Sequence, residues 1–443
     1  MPLTRRYPES APAPRREIFG WAMFDFANQA YTLLIITVIF GDLFTRVIVG
    51  DGPDYRLGNL LWSVALAVSY AMVIVAAPFA GAVMDATASR KRFLAASWVL
   101  TIITTALLYF VEPGLVFFGM ALIIASNFGY AIGESFIASF LPDLGPPEKL
   151  GWISGLGWGL GYIGGLVATA FALGLLGEVS ADNFERIRWV GPFAAVFFLI
   201  SALPTFLFLK ERGTRRRLAR HIQLGLGWKR VKAALVTLGE RRDLRALFVS
   251  IFFVMAGIYI IIAFTFIYGA QVIQWDEPVR VMMFVVTQIT AVIGAVGFGF
   301  LQDRAGPVRI YRITLGLWAL AVLAIFATPT IAQWLSVLLG QPVEPQMVFL
   351  GVGILAGLCL GSAQSAGRAL VALMVPAREA GRWFGFWGLS SKAAAIFGLL
   401  GIGLLQAWLG LENAILFCMF LFLAGLLASI PIRLADRRRA EPV

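Results

Sequence analysis

Four ionisable side chains stand inside runs that are otherwise apolar or small: Asp25 in "WAMFDFANQAY", Glu134 in "SNFGYAIGESF", Arg368 in "GLCLGSAQSAGRALVALMVP" and Lys392 in "GLSSKAAAIFG". A guanidinium does not deprotonate in proteins, so Arg368 carries a permanent charge. Two acids and two bases of this kind suit three roles. Arg368 can bind a substrate carboxylate while the acids receive an amine or a proton. The opposite charges can instead pair permanently, or they can hold a gate that opens when the pairs break. Buried ion pairs are poor net stabilisers because desolvation offsets their attraction, which weighs against a purely structural role. Amide side chains share the faces of these charges: Asn28 and Gln29 beside Asp25, Asn127 near Glu134, and Gln364 near Arg368. The candidate set for substrate binding or coupling is therefore Asp25, Asn28, Gln29, Asn127, Glu134, Gln364, Arg368 and Lys392.

The elements that must position these groups follow from composition. Fifty-nine per cent of the 443 residues are hydrophobic and 14% charged, whereas roughly a quarter are charged in soluble domains. Apolar stretches long enough to cross a ~30 Å hydrocarbon layer recur throughout the chain. The pattern predicts an all-α polytopic membrane protein with helices near 18–48, 58–86, 93–111, 115–141, 151–176, 189–209, 246–273, 279–302, 308–334, 346–375, 382–410 and 412–434. Residues 1–17 read as an N-terminal tail without a signal peptide, 18–209 and 246–434 as two six-helix bundles, 210–245 as a basic linker and 435–443 as a C-terminal tail. In the linker, Trp228, Val231, Leu235 and Leu238 share one helical face, the pattern of a helix lying on a membrane surface. Most of the 36 Lys and Arg residues fall in the tails, the linker and alternate loops, which places both termini in the cytoplasm by the positive-inside rule. The net charge of +11 thus reads as topology and attraction to lipid heads, not as nucleic-acid binding.

The chain repeats itself at half length. "GAVMDATASRKR" follows the second predicted helix and "GFLQDRAGPVR" the eighth, giving Gly81, Asp85 and Arg90 in one copy and Gly299, Asp303 and Arg304 in the other. This G-x-x-x-D-x-x-G-like loop resembles the signature of the major facilitator superfamily, and its two copies imply a gating motif at one end of each half. Glu134 lies eight residues before Pro142 and Arg368 eight before Pro376. In pseudo-symmetric repeats the two occupy equivalent positions with opposite charge and would face each other across a central cavity. Glycines recur at every fourth position in "GWISGLGWGLGYIGG" (Gly151, Gly155, Gly159) and in "GRWFGFWG" (Gly381, Gly385), which permits close helix packing in lipid, static or sliding.

"WAMFDFANQAY", "FIASFLPDL", "GWISGLGWGLGYIGG" and "QSAGRALVALMVP…GRWFGFWGLSSKAAAIFG" together resemble the major facilitators related to the fungal vacuolar amino-acid effluxer of autophagy, from the first helix to the eleventh. The resemblance implies a major facilitator fold of about 12 helices in two pseudo-symmetric bundles. Asp25 and Asn28 match the family's D-x-A-N element, Arg368 its S-R-S-like element and Lys392 its S-G-K-like element. The chain departs from the pattern at Ile137 and Ala138, where the family has Tyr-Asn on a cavity wall. It also has Gly367 in place of a serine, and Leu399 in place of the proline after Gly398.

These readings converge on a secondary active transporter in a bacterial cytoplasmic membrane. It would move a small polar or zwitterionic solute outward by alternating access, with protons as a candidate coupling ion. The family analogy suggests amino-acid efflux; a lipid or amphiphile flippase, or a drug-type exporter, is the alternative on the same fold. Tyr259, Tyr268 and Gln271 are weaker site candidates, since aromatics near span ends often anchor at the interface. No cofactor or metal site and a monomer are expected. Cys359 and Cys418 fall inside predicted helices and His221 is the lone histidine. No H-E-x-x-H, P-loop or G-x-S-x-G element stands in the chain, which argues against an enzyme or direct ATP drive.

Overall fold

The computed structural model describes residues 12–50, 56–177, 179–212 and 220–433. Hydrocarbon offers no hydrogen-bond partners, so each apolar run satisfies its backbone internally as a helix. In the first half these are α1 (Arg15–Val49), α2 (Arg56–Thr87), α3 (Arg90–Ala106), α4 (Val116–Ala138), α5 (Leu150–Leu176) and α6 (Val190–Phe208). A connecting helix, α7 (Arg220–Glu240), leads to the second half. There α8 (Arg242–Tyr268), α9 (Glu277–Ala305), α10 (Pro307–Phe326), α11 (Thr328–Leu339), α12 (Pro345–Met374), α13 (Ala380–Ala414) and α14 (Leu416–Ser429) follow. Among the described residues, eleven helices are long and apolar enough to cross a membrane. A bent pair, Trp408–Ala414 with Leu416–Ser429 at 63°, makes a twelfth crossing if counted as one.

Several boundaries differ from the sequence expectation, among them the start of α8 at Arg242 instead of the expected 246. The ninth helix, expected over 308–334, stops at Phe326, and Pro329 sits in the first turn of the separate α11. A proline lacks the N–H that continuing the helix would require but suits a helix start. The last helix, expected over 412–434, begins at Leu416; Gly410 takes φ 74° inside α13, and the chain bends by 63° between Trp408–Ala414 and Leu416–Ser429. Residues 1–11 of the expected N-terminal tail and the C-terminal tail over 435–443 lie outside the described residues, while α1 already begins at Arg15.

Within the first bundle α1 packs on α5 and α6, and α4 packs on α3 and α2; in the second, α8 packs on α13 and α14, and α12 on α9 and α10. The two six-helix bundles meet mainly through α2 with α13 and α5 with α9. Two glycine rows of α5 make these contacts possible. Gly151, Gly155 and Gly159 face α9, whereas Gly157, Gly161 and Gly164 face α1 or the ion pair beside it. A Cβ on Gly151 would come within 2.8 Å of the Gly299 carbonyl oxygen, so the backbones leave no space for a side chain. α7 packs against α2 with Val231 and Leu238 turned toward the core, Ala234 buried, and Trp228 and Leu235 exposed.

α1 is not α-helical throughout. It passes into π-helical turns over Thr32–Val38 and again over Phe44–Val49. Such turns concentrate at functional sites because they re-aim side chains along a helix, and Thr32, where the first begins, lines the cavity described next.

Candidate functional site

The four intramembrane charges form two ion pairs, each joining one bundle to the other. Arg368 on α12 reaches Asp25 on α1 at 2.7 Å. Lys392 on α13 reaches Glu134 on α4 at 3.0 Å. The expected facing of Arg368 and Glu134 is therefore corrected: α1, crossing α5 closely, brings Asp25 to the guanidinium, while α13 brings Lys392 to Glu134. Equivalent depth in two repeats did not imply contact.

The Arg368 pair is tightly built. Its Nε donates to Ser154 Oγ at 3.1 Å and a terminal nitrogen to the Ser154 carbonyl at 2.9 Å. The guanidinium stacks over Trp21 and Trp158, 4.6 and 5.2 Å from the ring centroids. Gly157 makes room for it: a Cβ there would fall 2.5 Å from Asp25 Oδ2 and 2.7 Å from the guanidinium. Ser154, Gly157 and Trp158 all come from "GLGWGLG" and its preceding serine, a stretch whose glycines signalled packing but not that they surround a charge. Arg368 is 2% exposed, so its charge is met almost wholly by protein.

The Lys392 pair is built from hydroxyls and rings. Lys392 Nζ donates to Tyr259 Oη at 2.8 Å, and Tyr130 Oη donates to Glu134 Oε1 at 3.1 Å. Thr32 Oγ1 donates to Tyr130 Oη at 2.8 Å. Tyr259, a weaker candidate from sequence, is thus a direct partner; Tyr268 is buried with its hydroxyl on the Ile325 carbonyl, and Gln271 is exposed. Tyr70 and Tyr130 were not singled out in the sequence, since a tyrosine within an apolar run carries no local mark of the charge it will meet.

Beside the Glu134–Lys392 pair lies a cavity of about 80 Å³ lined from both bundles; Asp25 and Arg368 are not among its lining residues, although Trp158, which stacks on Arg368, is. Gln29, Thr32, Tyr130, Glu134, Ser135 and Trp158 come from the first, and Tyr259, Gln364, Gly367, Ser391 and Lys392 from the second. The α8 wall adds Ile251, Val254, Met255, Ile258 and Ile262, so one side is apolar. Ser135 Oγ, Ser391 Oγ and Trp158 Nε1 are buried there without a hydrogen-bond partner. The volume is small beside the ~300–1,000 Å³ of sites enclosing drug-sized ligands.

Four of the eight candidates do not line this cavity: Asp25 and Arg368, which form the pair described above, and Asn127 and Asn28. Asn127 is fully buried and donates to Ser69 Oγ, knitting α4 to α2. Asn28 is 5% exposed and not part of the lining. Ile137 and Ala138 also stand off the cavity, fully buried, with the Ile137 carbonyl accepting from Trp21 Nε1 at 2.8 Å. Position, not chemistry, separates Asn127 and Ile137 from the site: their bonds to Ser69 and Trp21 lie within their own bundle.

The repeated loops reach across the bundles. Asp85 accepts from the Gly381 and Arg382 amides at 2.9 and 2.7 Å and from Arg90 at 3.2 Å. Arg90 continues to Asp143 at 2.8 Å and to the carbonyls of Ser139 and Ala377. Asp303 accepts from the Gly151 and Trp152 amides at 3.0 and 2.9 Å. Each aspartate therefore meets the amino end of a helix in the other bundle, where free N–H groups and the helix dipole favour a negative charge. Arg304 is exposed and stacks on Phe300 at 4.1 Å. Among the described residues, no three metal-ligating side chains converge.

Two helical bundles around a shared, charge-flanked chamber define an integral membrane transporter of the major facilitator fold, a class that is not enzymatic. Solved structures agree on the fold: a proton:xylose symporter, XylE, covers 94% of this chain and 95% of its own at TM-score 0.72 and 14% identity. A bacterial homologue of the iron transporter ferroportin, in an outward-facing state, covers 94% and 98% at TM-score 0.69 and 14% identity. The chain belongs to the vacuole effluxer Atg22-like family, whose model matches residues 60–151 and 148–441. An uncharacterized MFS-type transporter, YxiO, of Bacillus subtilis is 23% identical over 93% of this chain and 94% of its own. Autophagy-related protein 22 of Eremothecium gossypii is 24% identical over 63% of this chain and 55% of its own.

Proposed function

We propose that this transporter moves a small polar or zwitterionic solute by alternating access, the two bundles rocking about the chamber they both line. The observation that carries the reading is that two ion pairs, Asp25–Arg368 and Glu134–Lys392, bridge the bundles, and that the second lines a cavity to which both bundles contribute. A solute carboxylate competing for Arg368, or a proton taken by Asp25 or Glu134, weakens a bridge, so binding and rocking are coupled by the same charges. Buried polar atoms without partners at Ser135, Ser391 and Trp158 supply further contacts. The apolar α8 wall suits a hydrocarbon portion of the solute.

Several finer points belong to the same reading. Asp85 and Asp303 act as latches that hold the bundles together at the end carrying the interbundle linker. The linker end is cytoplasmic, by its basic loops, in a bacterial cytoplasmic membrane. The family's description as vacuole effluxers favours export, and the sequence resemblance favours an amino acid or related solute. The apolar wall equally admits an amphiphile, which keeps the flippase or drug-exporter alternative in view.

Uptake into proteoliposomes tests the proposal. Arg368→Ala should abolish transport and Glu134→Gln should uncouple or abolish it; unchanged uptake and affinity in both variants would sink the assignment. A thermal-shift screen of amino acids, organic acids and lysolipids separates solute from lipid, because a ligand bound to the native state raises its apparent stability. Stabilisation by lysolipids alone would favour the amphiphile alternative.

A further inference from the structure

Lys392 has an environment unlike that of Arg368. Its ammonium lies 5.2, 5.9 and 5.4 Å from the ring centroids of Tyr70, Tyr130 and Tyr259. Glu134 closes the set at 3.0 Å. Three aromatic rings and a carboxylate around one ammonium form the arrangement with which proteins hold organic ammonium ligands, through ring quadrupoles and charge. The cage is braced: Tyr130 stacks on Tyr31 at 4.8 Å, and its hydroxyl is held between Thr32 and Glu134. Both bundles contribute, α2 and α4 on one side and α8 and α13 on the other.

The two bases differ in how firmly they are held. Arg368 is fixed by Asp25, by two contacts to Ser154 and by two indoles. Lys392 has three donors and two hydrogen-bond partners, Glu134 and Tyr259. Its four-carbon stem is flexible, and it lies on the cavity lining together with Tyr130, Tyr259 and Glu134.

We propose that Lys392 is a tethered stand-in for an organic ammonium ligand. Its own amine fills the cage when no ligand is bound, and a primary to quaternary ammonium group entering from the cavity displaces it. The lysine side chain then swings into the chamber while Glu134 keeps a cationic partner throughout. A buried carboxylate is thus never left without a counter-charge, the costly condition that breaking a buried pair would otherwise create. The inference rests on the transport reading above and adds the chemistry of one ligand group.

The test uses purified full-length protein with tetramethylammonium and methylammonium as probes and tert-butanol as an uncharged isostere. Removing the resident amine by Lys392→Ala should empty the cage. The variant should then bind the ammonium probes roughly tenfold or more tightly than the unmodified protein, and they should raise its melting temperature; tert-butanol should do neither. Adding Tyr70→Leu should reverse the gain. Because Lys392→Ala strands Glu134, the neutral variant Glu134→Gln with Lys392→Ala serves if the first does not fold. It should still bind tetramethylammonium more tightly than the unmodified protein, through the rings. Ammonium binding no tighter than in the unmodified protein, or binding matched by tert-butanol, overturns the proposal. Loss of transport in Arg368→Ala alongside that result would leave the transport reading standing and remove only the cage.

Discussion

Removing Arg368 leaves Asp25 as a buried charge whose partner is gone, so Arg368→Ala should cost about 3–5 kcal/mol of stability, measured by unfolding in detergent. Arg368→Lys should lose less, since charge is kept but the contacts to Ser154 and the flat stacking on Trp21 and Trp158 are not. Transport by the lysine variant should still fall, because the fork geometry suited to a carboxylate disappears. Gly157→Val places branched carbon where Asp25 and Arg368 meet. It should separate that pair and lower the melting temperature while leaving the Glu134–Lys392 pair in place. An unchanged melting temperature would show that the helices can move apart at Gly157. The four charges were legible in the sequence because ionisable residues in apolar spans are costly and therefore conspicuous. Ser154, Gly157 and Tyr70 were not, because small and aromatic residues are ordinary occupants of such helices.

At the scale of elements, the two latches are unequal. Asp85 accepts from two amides and from Arg90, and Arg90 also ties Asp143 and Ala377, whereas Asp303 accepts from the Gly151 and Trp152 amides. Asp85→Asn should therefore loosen the linker end more than Asp303→Asn. A cysteine placed at Ser135, which is buried against Gly388 of α13, reports this: its labelling rate from the linker side should rise further with Asp85→Asn. Equal rates would mean that helix packing, not the aspartates, keeps that end shut. The paired loops were readable as a repeat, but which helix end each aspartate meets depends on how α13 and α5 start in space.

For the whole molecule, the even number of crossings expected puts the termini and linker on one face. A fluorescent protein fused after Val443 should fluoresce in cells, and a periplasm-dependent phosphatase fused there should be inactive; the opposite pattern would invert the proposed orientation. Replacing both ion pairs by neutral groups (Asp25→Asn, Arg368→Gln, Glu134→Gln and Lys392→Met together) tests what the charges are for. Buried pairs replaced as units are often neutral or stabilising, so the melting temperature should hold or rise while transport is lost. A collapsed fold would instead assign the pairs a structural role.

Composition and hydropathy alone determined that the chain lives in lipid, that it forms about a dozen helices, and that it repeats at half length. Each follows from local physics: transfer free energy, helical rise and the recurrence of a short motif. Tertiary structure decided the partners. Sequence symmetry suggested Arg368 opposite Glu134, yet the bundles meet through glycine rows on α5 and α13, and Arg368 pairs with Asp25 and Glu134 with Lys392 instead. Pairing in a membrane core depends on distances of a few ångströms between helices far apart in the chain, and a residue's depth along its own helix does not contain that distance.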